Sequence, residues 1–138
     1  MNTKGFTLVE MLIVLAIIGI LTAVIIASTT LSRAKARDTR RIGDMKEIQL
    51  GLALYYDVNR AYPIGNDASA LTVLTSQKYI PSLPTDPLTN GNYEYVSSSP
   101  GTTYCLGVTL EDAIPSDSAS CTSALSGSTA NYKAQPPQ

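Results

Sequence analysis

From Phe6 to Ala27 every residue is apolar or small except Thr7, Glu10 and Thr22, whereas from Ser28 onward apolar residues recur only at helical spacing. The first stretch has 22 residues, about 33 Å of helix at 1.5 Å per residue, enough to cross a hydrocarbon core of about 30 Å. In the second stretch Ile42, Met45, Ile48, Leu52 and Tyr55 fall on one face, with Asp44, Glu47 and Gly51 on another. Leu50 and Leu54 form a second apolar strip. Either both strips serve one core, or one meets the chain's own head and the other meets other subunits. No proline interrupts the pattern before Pro63, so it predicts one helix from Phe6 to about Asp57, roughly 78 Å long.

Beyond Pro63 the pattern shortens. Asn66-Asp67 is placed to cap a helix over about 69–78, with Leu71, Leu74 and Tyr79 inward, and Pro81 and Pro84 end it. Pro84-Thr85-Asp86-Pro87 and Asn90-Gly91 are turn signals. Residues 92–97 and 102–110 read as strands, and alternation in the second puts Tyr104, Leu106, Val108 and Leu110 on one buried face and Cys105 on the other. Two strands make a marginal sheet, so a third is expected near the C-terminus. The whole reads as an α+β head laid on a long helix.

The 138 residues allow one small domain beyond the apolar segment, and 44% hydrophobic content with a net charge of −1 fits an ordinary globular head. Charge divides along the chain: residues 28–60 carry net +3 and residues 61–138 net −4. Asp38 with Arg41, and Lys46 with Glu47, read as solvated surface pairs. The basic residues Arg33, Lys35, Arg37, Arg40 and Arg41 begin close to the apolar run and suit lipid headgroups. They could also serve nucleic acid, with Tyr55, Tyr56, Tyr62, Tyr93, Tyr95 and Tyr104 stacking on bases.

Catalytic chemistry has little to work with. The chain has no histidine, hence no imidazole base and no Ser-His-Asp triad. Two cysteines alone do not make a zinc site, and no glycine-rich phosphate loop occurs. Glu111, Asp112 and Asp117 lack the acidic and glycine density of a calcium loop. Neither catalytic residues, metal nor cofactor are expected.

Glu10 is the informative exception in the apolar run. A carboxylate near the bilayer centre costs roughly 2.5–3.5 kcal/mol on insertion scales, less near a helix end, so its presence asks for a partner. No Lys or Arg lies between Gly5 and Arg33. A cut after Gly5 would free an α-amine on Phe6, four residues before Glu10.

Lys4-Gly5-Phe6-Thr7-Leu8-Val9-Glu10 followed by an apolar helix resembles the class III signal of type IV pilins and type II secretion pseudopilins. The stretch from Arg37-Asp38-Thr39-Arg40-Arg41 through Tyr55-Tyr56 to Tyr62-Pro63 resembles the stem of type II secretion protein G-like pseudopilins. The resemblance implies a type IV pilin-like fold: a leader (1–5), a transmembrane half-helix (6–27), an amphipathic stem (28–60) and a head (61–138). It further implies cleavage between Gly5 and Phe6 by prepilin peptidase, N-methylation of Phe6, and pairing of Glu10 with the Phe6 amine of a neighbouring subunit. The implied function is a structural subunit of a type IV pilus or pseudopilus. The alternatives are a minor pilin binding DNA or a surface, a secretion or competence pseudopilin, and a plain membrane anchor.

The implied partners are copies of the chain itself, prepilin peptidase, a membrane platform protein, an assembly ATPase, and cytoplasmic-membrane lipid before assembly. The basic residues after the apolar run would by themselves keep the C-terminal side in the cytoplasm. The resemblance implies the opposite, a cytoplasmic N-terminus and an external head that ends in a filament. In that setting an even cysteine count points to a Cys105–Cys121 disulfide, in the position of the C-terminal loop of pilins.

Overall fold

The computed structural model describes residues 5–112, 115 and 130–136, the side chains at 27 and 28 excepted. A helix α1 spans Leu8–Asn59, and the chain forms two compact units, Met1–Ala34 and Lys35–Gln138. In the first unit every described side chain from Phe6 to Ile26 is exposed. The helix is long and apolar enough to cross a membrane, its most apolar 18-residue window having a mean hydropathy of 2.9. Its hydroxyls turn inward on their own backbone: Thr22 Oγ1 donates to the Ile18 carbonyl at 2.7 Å and Thr29 Oγ1 to that of Ile25 at 2.8 Å. That arrangement satisfies polar atoms without water, as an apolar surrounding demands.

In the second unit α1 buries the strip read from its periodicity. Met45, Ile48 and Leu52 are buried, and Ile42 and Tyr55 pack partly against the same cluster. Leu50 and Leu54, on the other strip, remain exposed. Gly51 lies on the covered side rather than the solvent side expected for it. A Cβ there would come within 2.7 Å of Ile80 Cγ2, so the missing side chain lets the following segment close on the helix. α1 stops where Arg60 takes φ 56° and its N–H donates to the Tyr56 carbonyl at 2.8 Å, a left-handed cap just before Pro63.

The short helix predicted over 69–78 is a 3-10 turn, Ala68–Leu71, running into α2, Thr72–Ser76. Asp67 caps it by accepting the Ser69 N–H at 2.8 Å. Three antiparallel strands follow, β1 Glu94–Val96, β2 Cys105–Val108 and β3 Tyr132–Ala134, in the spatial order β1-β2-β3. Tyr95 faces Leu106 across the first ladder, and Leu106 faces Ala134 across the second. The third strand expected near the C-terminus is therefore present, and the first two are shorter than their apolar alternation suggested. Tyr104, Leu106, Val108 and Leu110 are buried as expected, but so are Cys105 and Gly107, which alternation places on the other face.

The tyrosines are structural. Tyr62, Tyr93, Tyr95 and Tyr104 are buried and Tyr55 and Tyr56 half-buried. Tyr95 Oη donates to the Pro63 carbonyl at 2.8 Å, Tyr93 Oη donates to Asp44 Oδ2 at 2.6 Å, and Tyr62 packs edge-on against Tyr104. These contacts engage the rings within the head, Tyr55 and Tyr56 keeping part of their surface exposed.

Candidate functional site

The start of α1 is fixed by its own sequence. Thr7 occupies the cap position and Glu10 the third helical position, the spacing of a capping box. Glu10 Oε2 accepts from the Thr7 backbone N–H and from Thr7 Oγ1, both at 2.8 Å, and the Glu10 N–H in turn donates to Thr7 Oγ1 at 3.3 Å. A carboxylate in the first turn also faces the positive end of the helix dipole. Thr7 is the partner of Glu10 that charge reasoning missed. Its signal was visible as Thr-x-x-Glu immediately before an apolar run.

Glu10 is thus held in the chain before any external cation meets it. Phe6 and Glu10 are both exposed, and nothing lies within 4 Å of a Cβ built on Gly5. Among the described residues no packing requires glycine at that position. The structure brings Gly5, Phe6, Thr7 and Glu10 together at one exposed helix end.

A second polar centre lies in the other unit. Arg41 is almost wholly buried yet meets three carboxylates. Its Nε and Nη2 take Asp86 at 2.6 and 3.2 Å, and its Nη1 takes Asp38 at 2.7 Å and Glu111 at 2.6 Å. Arg37 adds a fork onto Glu111, at 2.8 and 2.5 Å. Asp38 also accepts the backbone N–H groups of Glu111 and Asp112 at 2.8–3.0 Å. The Asp38–Arg41 pair, expected on the surface, is a buried tie joining α1 to the Asp86 turn and to the segment after β2.

Charge sharing shifts these groups as expected. Hydrogen bonds from Arg41 hold Asp86 far below the usual carboxylate range, and those from Arg37 lower Glu111 to about 2. Hydrogen bonding to Asp86 raises Arg41 in turn. Two of the five basic residues assigned above to lipid or nucleic acid are consequently committed to internal partners. Both oxygens of Glu111 are occupied by guanidinium groups, so Glu111 does not fit a calcium ligand. Asp112 is exposed, and Asp117 lies outside the described residues. Among the described residues no group of three acidic, cysteine or histidine side chains converges as a metal site would require. Cys105 is buried in β2, and Cys121 lies outside the described residues.

Residues 1–26 match the family model described as a prokaryotic N-terminal methylation motif. The chain is 30% identical over 109 residues to the type II secretion system core protein G of Escherichia coli K12, covering 71% of this chain and 73% of that protein. It is 32% identical over 112 residues to the core protein G of Pseudomonas aeruginosa, covering 72% and 75%. A shorter match, 58% identical over 38 residues, joins it to the type IV wide pilus major component PilA4 of Thermus thermophilus, covering 28% and 29%. No solved structure matches significantly.

Proposed function

Because this chain belongs to the family of the type II secretion system core protein G, we propose that it is a filament subunit of the type IV pilus and pseudopilus class, assembled after loss of residues 1–5. The observation that carries this reading is the helix end itself. An exposed junction at Gly5-Phe6 stands one turn from a carboxylate already oriented by Thr7, ahead of an apolar helix segment whose described side chains from Phe6 to Ile26 are all exposed. Prepilin peptidase would cut at that junction and methylate the Phe6 amine. A platform protein and an ATPase would then lift the subunit from the membrane, N-terminus cytoplasmic and head outside.

The chemistry of the step follows from charge. Before assembly, the Thr7 cap gives the carboxylate two donors but no counter-charge. Cleavage creates that counter-charge on Phe6, and in a staggered array the amine of one subunit meets the Glu10 of another. Joining two unpaired ions in an apolar surrounding relieves both, which favours the filament and sets its register. The test is the intact mass of the chain recovered from sheared filaments. It should correspond to a chain beginning at methylated Phe6, and a filament species retaining residues 1–5 would refute the processing step.

For an external head, we propose in addition that Cys105 pairs with Cys121. The bond would close a loop of about 15 residues and stabilise the fold by about 3 kcal/mol in the chain-entropy model. Non-reducing peptide mapping of native protein should find that linked pair. Recovery of both as alkylatable thiols after rapid quenching would contradict the bond and the external placement together.

A further inference from the structure

We propose that the turn carrying Leu88 inserts into a groove on the next copy of this chain, formed between α1 and the head. The inference rests on the filament reading above and names one contact within it. The groove holds about 360 Å³ and is lined by Gln49, Leu50, Ala53, Tyr62, Tyr104 and Gln135. Its walls are largely apolar, and its polar edge is a hydrogen bond from Gln49 Nε2 to the Gln135 carbonyl at 3.3 Å.

The knob is prepared in the same unit of the chain. Leu88 is 58% exposed, on a turn that leaves little freedom. Asp86 Oδ1 accepts the N–H groups of Leu88 and Thr89 at 2.8 and 2.9 Å, the Asp86 N–H donates to the Gly91 carbonyl at 2.9 Å, and the Asn90 N–H returns to the Asp86 carbonyl at 2.9 Å. The Asp86 carboxylate is itself clamped by buried Arg41. An apolar side chain displayed on so fixed a turn loses little conformational freedom on docking.

Knob and groove cannot meet within one chain. Arg41, which holds the Leu88 turn, and Leu50, which lines the groove, are nine residues apart on α1, about two and a half turns at 3.6 residues per turn. They therefore project to opposite sides of the helix. Two different patches facing away from each other are what a head-to-tail, open-ended polymer uses, whereas a closed dimer would use one self-complementary patch. Charge agrees with this pairing in sign: with Arg41–Asp86 and Arg37–Glu111 paired inside the chain, the stem keeps net +1 and the head net −2, and exposed Lys46 lies on the groove side, four residues before Leu50 and seven before Ala53.

The test uses the full chain in cells that assemble it. In filaments of a double variant, Leu88→Cys with Ala53→Cys, mild oxidation should give a ladder of linked multimers, and neither single variant nor the unmodified chain should give one. Leu88→Asp should lower filament yield by roughly tenfold or more at unchanged membrane abundance, because it would bury a carboxylate in an apolar groove. Filaments of the double variant without a ladder would overturn the contact and leave the filament reading intact. So would normal filament yield from Leu88→Asp. Failure of the unmodified chain to form filaments would remove the filament reading and this contact with it.

Discussion

Arg41→Met should destabilise the head by about 3–5 kcal/mol, the usual consequence of removing one partner from a buried ion cluster. The reason is geometric. The Arg41 side chain is 3% exposed and those of Asp38 and Asp86 are 9% and 13% exposed, so their charges would remain out of water without their cation. Arg41→Lys should recover only part of the loss, since a single ammonium cannot reproduce the fork onto Asp86 together with bonds to Asp38 and Glu111. Denaturant unfolding of the full chain in detergent measures the effect. Lys46→Met, at an exposed position, is the control and should change stability by less than about 0.5 kcal/mol. Equal stabilities for Arg41→Met and the control would show that the cluster does not hold the head together.

The same cluster fixes a pH dependence. Glu111 is lowered to about 2 from an ordinary 4.5, chiefly by Arg37, and Asp86 is lowered from an ordinary 3.8, chiefly by Arg41. Groups lowered on folding contribute their full stabilisation above the unfolded value and lose it as pH falls toward the folded one. The melting temperature should therefore owe no change to these groups between pH 7 and about 5, and should fall from about pH 4.5 downward. Glu111→Gln should flatten part of that fall.

The long helix and its two apolar strips were legible because periodicity is a local property. Met45, Ile48 and Leu52 went inward and Leu50 and Leu54 stayed out, as the spacing required. The burial of Arg41 was not legible. Its neighbour Asp38 is three residues away, a spacing that by itself describes a solvated pair, while Asp86 and Glu111 lie 45 and 70 residues along the chain. Partners that distant leave no mark on local pattern. Gly51 was placed with the polar residues because it lacks a side chain to count, and the close approach of Ile80 that requires it is likewise a long-range event. The third strand was expected only in outline, since Tyr132-Lys133-Ala134 offers a single alternation.

At the N-terminal end of α1 the residues were legible and one relation among them was not. Gly5, Phe6 and Glu10 stood out by their spacing and by an acid in an apolar run. The capping bond from Thr7 went unread because Glu10 was considered for its charge rather than for its place in a first turn. That bond sharpens what a substitution should do. Glu10→Leu removes both the bonds that Thr7 donates to the carboxylate and the carboxylate proposed to meet the Phe6 amine. Insertion should be easier, because a charge has left the apolar segment. Assembly should fail, because each Phe6 amine entering a filament would be buried without a counter-ion. Thr7→Val separates the two contributions: it weakens the cap but keeps the carboxylate, so it should reduce filament yield without abolishing it.

The decisive measurement is filament yield alongside membrane abundance of processed subunit, in cells whose only copy of the chain carries Glu10→Leu. Pairing between Glu10 and the amine of a neighbouring Phe6 predicts abundant processed protein in the membrane and almost none in sheared filaments. Normal filaments from those cells would contradict it.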